Sequence, residues 1–291
     1  YKTIKLVPKK YRPKSVLHTA NSSVTTTLLN ISKKGFHYPL IAKPDVGFRG
    51  LLVQKINSET ALKKYLLEYS IDVIIQEFIS YKSECGIFYA RNPNKEKGEI
   101  TSITLKKFLS VFGDGTSTLK QLILKDSRSK LYINLLTEIH QDKLKLIPKK
   151  SLEIQLSVIG NHSKGTQFLN GNHLISDKLI ETFDNFSKSI PGWFYGRIDL
   201  KYNDFSEVEN GTDFKILEIN GIISEPTHIY DAQNSSYFKA LKAIRTHWKS
   251  LYDISTTNHK EHQVPYKSSK KFITEMIELR AYTKKIKELV N

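Results

Sequence analysis

Cysteine is all but absent: the 291 residues contain one, Cys85, and a single methionine. One thiol excludes an intrachain disulfide framework. With no histidine placed to activate it, Cys85 argues against thiol nucleophile chemistry and reads as a buried spectator at the start of an apolar strand. No apolar run approaches the length of a membrane span, so no membrane partner is expected. The opening residues, YKTIK, are neither Met-initiated nor an apolar signal segment, and the expected address is cytoplasmic. Neither GxxxxGK[ST] nor GxGxxG occurs, which excludes a P-loop and a Rossmann fingerprint. No aromatic-basic stacking motif is present, so nucleic acid is disfavoured as a partner.

Acidic residues are scarce relative to basic ones. Lys and Arg number 45 against 29 Asp and Glu, a formal charge of +16, which implies attraction to something anionic. The charge is dispersed, and the terminal runs KTIKLVPKKYRPK and KKIKELVN read as solvated faces. Hydrophobic residues make up 39%, with 15 Tyr and 14 Phe, enough for a folded globular chain with a substantial core.

Residues 1–34 carry little periodic signal beyond VTTTLLNI and are expected to be a lead-in segment. From 35 to 80 the pattern is strand (HYPLIAKP), glycine loop (DVGFRG), strand (LLVQKI), helix (SETALKKYLLEY, capped by Ser58) and strand (IDVIIQEFI), a small α/β lobe. Residues 81–231 read as a larger lobe. ECGIFYARN and GEITSITLKKF are strands of a second sheet, and FGDGTSTLKQLILKD is a turn with Ser117 or Thr118 capping a helix. After LEIQLSVIG comes a Gly- and Asn-rich connection, NHSKGTQFLNGN, then the helix SDKLIETFDNFSKSI. GWFYGRIDLKY and DFKILEINGI are the last clear strands, joined by NDFSEVENGT as a hairpin-type loop. Residues 232–291 read as a helical extension whose amphipathic end could pack on its own core or on a second copy. The expected class is mixed α/β (α+β), with two lobes and a cleft between them.

Two strands carry polar residues that a core strand does not need. Arg197 and Asp199 are i and i+2 in GRIDL, as are Glu218 and Asn220 in LEING, so each pair shares a face. If these strands are neighbours, four polar groups converge on one side of a sheet, a costly burial without a partner. Oxygen ligands of this kind suit Mg²⁺ shared with phosphates, and Arg197 would meet a phosphate or an anionic intermediate. A salt-bridged hairpin, with Arg197 held by Asp199 or Glu218, accounts for the same residues. In KPDVGFRG, Lys43 supplies a point charge at a strand end, and Gly47 and Gly50 let backbone amides approach phosphates. Lys106 and Lys107 end another strand, where alternation lets only one face inward.

The order of these motifs resembles the ATP-grasp superfamily, and within it the carboxylate–amine and carboxylate–thiol ligases. D-alanine–D-alanine ligases and the ATP-grasp part of cyanophycin synthetases are nearest in texture, the latter through FGDGTSTLKQLI. The resemblance runs from about residue 36 to 225. It implies a nucleotide-binding set of Lys43, Gly47, Gly50, the hinge residues Gln76, Glu77 and Ile79, Glu84 on ribose hydroxyls, and Lys106 or Lys107. It implies ATP with Mg²⁺ (Mn²⁺ as the alternative) on Asp199, Glu218 and Asn220. Arg197 and Lys43 would be catalytic. The implied activity is amide formation between a small carboxylate and an amine, both taken to be anionic, through an acylphosphate. A kinase on a small anionic substrate and a basic non-catalytic binding module stay open as alternatives. NGIISEPTHIYD departs from the Pro-Gly stretch usual after the metal asparagine. The roles of His162, Lys164, Glu225 and His228 therefore stay open.

Overall fold

The computed structural model describes residues 1–47, 50–231 and 233–289. Phe48 and Arg49 of the glycine-bearing loop lie outside the described residues.

In chain order the elements begin with α1 (Lys2–Leu6), β1 (Ser15–His18), α2 (Val24–Lys33), β2 (Leu40–Pro44), β3 (Gln54–Ile56), α3 (Glu59–Glu68) and β4 (Val73–Glu77). Next come β5 (Ser83–Ala90), β6 (Glu99–Lys107), β7 (Ser110–Phe112), α4 (Leu119–Lys125), α5 (Ile133–Ile139), β8 (Glu153–Gln155), β9 (Gln167–Asn170) and α6 (Asp177–Lys188). The chain closes with β10 (Tyr195–Tyr202), α7 (Phe205–Asn210), β11 (Phe214–Asn220), α8 (Tyr237–Glu261) and α9 (Ser269–Glu288). Among the described residues the strands form a four-stranded sheet ordered β1-β4-β2-β3, a five-stranded sheet ordered β11-β10-β5-β6-β9, and the pair β7-β8. The paired neighbours in all three sheets are antiparallel. The expected mixed α/β class with two sheet-bearing lobes is observed.

Strands β1 and β2 alternate buried and half-buried residues, while β4, β5 and β10 are buried almost throughout. In the small sheet, Val16, Ala42, Val73 and Ile75 pack against Leu62, Tyr65 and Leu66 of α3, whose N-terminus is capped by the Ser58 side chain accepting from the Ala61 amide. In the large sheet, Ile87, Ile103, Ile198, Leu200 and Ile216 meet Leu179, Phe183 and Phe186 of α6. Phe183 and Phe214 are fully buried, and side chains of that size contribute on the order of 2–3 kcal/mol each.

Several elements differ from expectation. Residues 1–34 are more than a lead-in: β1 joins the small sheet against β4, and α2 places Ile31 in its core. Strand character was expected across LLVQKI, yet only 54–56 pair, because the chain turns at Leu52 with φ 58°. LEIQLSVIG pairs only over Glu153–Gln155. The Gly- and Asn-rich connection contains β9, hydrogen-bonded to the edge of β6. The loop between β10 and β11 holds α7, capped by the Asp204 side chain and ended by Gly211 at φ 69°. Of the two cap residues expected for α4, Thr118 is the one that caps it, in a reciprocal capping box with Gln121.

α8 lies against the large sheet through Ile254 and Leu251, beside Phe88, Ala90 and Tyr195. The end of α9 reaches the small lobe, where Ile286 is fully buried and Tyr282 packs beside it. No helix among the described residues is long and apolar enough to cross a membrane.

Candidate functional site

β10 and β11 are neighbours, in the register that brings the four polar residues together: Arg197 opposes Asn220, and Asp199 opposes Glu218. The ladder then skips Leu217 before pairing Leu200 with Ile216. A bulge of this kind frees backbone groups from the ladder. The freed Leu217 carbonyl accepts from Lys43 Nζ at 3.3 Å, and the same ammonium donates to Gln76 Oε1 at 3.1 Å. Lys43 thus reaches from the small sheet onto the large one, directly at the polar cluster.

The ion pairs within the cluster are close. Arg197 grips Asp199 bidentately, Nε to Oδ1 at 2.9 Å and Nη2 to Oδ2 at 3.2 Å, and its Nη1 donates to the Glu225 carbonyl at 3.0 Å. Lys106 Nζ lies 2.6 Å from Glu84 Oε1 and 3.7 Å from Asp199 Oδ2. Asn220 Nδ2 donates to Asp199 Oδ2 and Glu218 Oε1 at 3.3 and 3.2 Å. Three cations, Lys43, Lys106 and Arg197, therefore meet three carboxylates, Glu84, Asp199 and Glu218. The Arg197–Asp199 salt bridge expected from the sequence exists, and it sits inside a larger group of converging polar side chains.

The protonation pattern follows from the packing. Burial alone would raise the Asp199 carboxyl, but the Arg197 and Lys106 charges and their hydrogen bonds outweigh it and hold it well below the usual range. Burial also opposes the Lys106 charge, and Asp199 and Glu84 overcome that and push it up. Glu218 goes the other way. Although solvent reaches it in the cleft, the surrounding protein withholds enough water to raise its carboxyl, and the Asp199 charge and hydrogen bond add to the shift. Lys43 is lowered by burial, against the attraction of Glu218 and Glu84. Within the Asp199–Glu218 pair, Glu218 is the carboxyl that is raised and Asp199 the one that is lowered.

The other expected residues are placed as follows. Gln76 is 2% exposed, and its Nε2 has no hydrogen-bond partner among the described residues. Glu77 is taken up by the N-terminal segment, accepting from the Lys14 amide at 3.2 Å. Ile79 is half-buried just past β4. Glu84, expected near ribose hydroxyls, spends its carboxylate on Lys106 beneath Gly160, where an added Cβ would lie 2.2 Å from Glu84 Oε1. Lys106 faces the cluster and Lys107 is exposed on the other face. Gly47 has open space around it, while Gly50, at φ 72°, packs against Ile159 and Asn161. The His162–Lys164 stretch is a single turn rather than a free loop. The His162 ring lies near Phe168 and Tyr230, and Tyr230 Oη donates to Glu225 at 2.6 Å. His228 stands on the turn Thr227–Tyr230, its Nδ1 buried.

Gly86 escaped the sequence reading. It lies on β5 opposite Asp199, and a Cβ there would come within 2.7 Å of Asp199 Oδ1 and 3.0 Å of Arg197 Cδ. A glycine inside an otherwise apolar strand marks a close approach, and ECGIFYA carried that signal.

Among the described residues no group of three or more His, Cys, Asp or Glu side chains could hold a metal ion. The set here is two carboxylates and an amide. It still offers oxygen donors of the kind that suit a hard divalent cation, with Asp199 opposite Glu218 and the Asn220 amide within hydrogen-bond reach of both. The amide of Asn220 would then turn its oxygen inward.

No protein-family model matches this chain, and no curated protein matches it significantly. Solved structures do resemble it. One is a bifunctional glutathione synthetase from Pasteurella multocida (17% identity, TM-score 0.44, covering 87% of this chain and 36% of that one). Another is a D-alanine–D-alanine ligase from Bacillus anthracis (16%, 0.42, 86% and 62%). A third is VanG D-Ala:D-Ser ligase from Enterococcus faecalis (14%, 0.46, 85% and 60%). The chain spans less than two thirds of the length of each. At these identities and scores the likenesses assign no substrate and no residue role.

Proposed function

We propose that the chain is an ATP-dependent ligase of the ATP-grasp type, joining a small carboxylate to an amine through an acylphosphate. The observation that carries this reading is the meeting of Lys43, from the small sheet, with the Asp199–Glu218–Asn220–Arg197–Lys106 cluster of the large one. A cleft walled by two sheets, with three cations converging on it, suits a triphosphate. The orphaned Gln76 Nε2 offers a buried donor at the same place.

In this reading Lys43 and Lys106 neutralise phosphate oxygens and hold the γ-phosphate against the substrate carboxylate. That carboxylate oxygen attacks phosphorus, the bond to the bridging oxygen breaks, and ADP leaves. The amine then attacks the acyl carbon, the tetrahedral intermediate collapses, phosphate departs and the amine loses a proton. Arg197, fixed by Asp199, places its guanidinium beside the developing negative charge at no reorganisation cost. Asp199, Glu218 and Asn220 would hold Mg²⁺ or Mn²⁺, which would supply further neutralisation of the phosphates. No side chain acts as a covalent nucleophile.

The test is ADP release by the purified protein over pairs of small carboxylates and amines, with product analysis. An amine-dependent adduct formed with ADP and phosphate supports a ligase. A stable phosphorylated product would mean a kinase instead. Asp199→Asn should abolish turnover and Mg·ATP binding; unchanged Mg·ATP affinity in that variant would sink the proposal.

A further inference from the structure

The N-terminal run of lysines reads in sequence as a solvated face, yet the fold gathers part of it around one hollow. A cavity of about 460 Å³ is walled by Lys5, Lys9, Arg12, Lys14, Lys34 and Phe36, and its lining contains no Asp or Glu. Among the described residues none of the five cations takes part in an ion pair. Lys14 Nζ donates to the Gly35 carbonyl at 3.3 Å, and Arg12 Nη1 reaches the Ile4 carbonyl at 3.5 Å. These are contacts with neutral groups. In the cleft, by contrast, Lys106 and Arg197 each have a carboxylate partner. Glu77, on the Lys14 amide, and Asp45, on the Tyr1 amino group, stand at the edge of the N-terminal hollow, but five like charges without an ion-pair partner still focus a positive potential into the concavity.

The walls come from two bodies. Ile4 and Val7, on either side of Lys5, belong to the core of the large lobe. Lys14 leads into β1, and Lys34 is the C-cap of α2 on the small lobe, where Phe36 packs against the core. None of these residues belongs to the Lys43–Asp199 cluster. The volume suits a small molecule, and five donors around it suit the crowded oxygens of condensed phosphate.

We propose that this cavity is a second anion site, taking a small molecule that carries at least two phosphate groups and bridging the N-terminal segment of the large lobe to the small lobe. The site is independent of the catalytic reading above.

The test is calorimetric titration of the full chain with inorganic triphosphate in EDTA at low salt, with ATP, AMP and sulfate in parallel arms. Wild type should bind triphosphate at least ten-fold more tightly than sulfate, and Lys9→Ala/Lys34→Ala should lose at least ten-fold in triphosphate affinity at an unchanged melting temperature. Lys43→Ala, which disables the cleft, should retain this binding, so failure of the cleft reading and failure of this one are separable. Tighter binding of ATP than of triphosphate assigns a nucleotide; equal binding assigns the phosphate chain alone. No binding by wild type, an unaffected double variant, loss in Lys43→Ala only, or a single-stranded oligonucleotide that outcompetes triphosphate would each overturn the proposal.

Discussion

Asp199 and Glu218 stand opposite one another on β10 and β11, and the ladder breaks register one step later. The pairing sets two carboxylates side by side on the cleft face. The break turns the Leu217 carbonyl toward Lys43. One irregularity in one strand thus joins the acidic pair to the cation of the opposite lobe.

That pair titrates in two separate windows. The Asp199 carboxyl is held below its ordinary 3.8, so its contribution to stability is present above that pH and is lost as pH falls toward the folded value. The Glu218 carboxyl is raised above its ordinary 4.5, so its contribution is present at lower pH and fades as pH rises through the folded value. In the proposed reading a divalent cation would compete with a proton for Glu218. Mg²⁺ affinity should therefore rise with pH across the Glu218 window, and Glu218→Gln should abolish both that rise and most of the affinity. Titrations with Mg²⁺ and nucleotide between pH 5 and 8 would show this; a flat wild-type profile would contradict it.

Lys106 and Lys107 should separate cleanly. Lys106→Met leaves Glu84 buried without its cation, and breaking a buried pair costs about 3–5 kcal/mol. Lys107→Met alters an exposed side chain and should stay within about 0.5 kcal/mol. Urea denaturation of the two variants reads the difference, and equal losses would refute the assigned facing.

Gly86→Ala should injure the site from below. The new methyl would press on Asp199 and Arg197, which their mutual ion pair holds in place, and overpacking of this kind costs about 1–3 kcal/mol. Mg·ATP affinity should fall at least ten-fold. Gly221→Ala, with open space around its added Cβ, is the control and should leave stability unchanged. Equal behaviour of the two variants would show that the strand yields.

His247 on α8 is 4% exposed, its Nδ1 lacks a partner among the described residues, and its ring meets the Phe88 ring at 4.4 Å. Burial lowers it from 6.5 to about 4, with His228 adding to the shift. Between those values the unfolded chain binds the extra proton, so stability should fall as pH drops from 6.5 toward 4, by up to about 3 kcal/mol. His247→Phe should remove that part of the slope in denaturation at pH 7 and pH 4.5. An unchanged slope would place its origin elsewhere, for instance at His18, which burial also lowers.

Side-chain alternation made much of the site legible, because i and i+2 on a strand share a face whatever the tertiary fold. Arg197 with Asp199, and Glu218 with Asn220, needed only that rule and a guess that their strands pair. The choice between Lys106 and Lys107 did not follow, since it depends on Glu84 lying opposite Lys106 on a neighbouring strand. Strand β1 was hidden for a similar reason. SVLH is short and follows a basic run, and its extended form rests on hydrogen bonding to β4. α7 was missed because its Asp204 cap and Gly211 terminus are also ordinary turn residues. The Leu217 bulge left no local trace at all.

Cys85 sits on β5 beside Gly86, completely buried, with its thiol pushed up by burial. As the single cysteine of the chain, it is a built-in clock for the strand that floors the cleft. A thiol reagent can modify it only during openings that expose this sheet, so the labelling rate measures their free energy. Any ligand that ties the two lobes together should slow that rate in proportion to its occupancy, without a label having to be introduced.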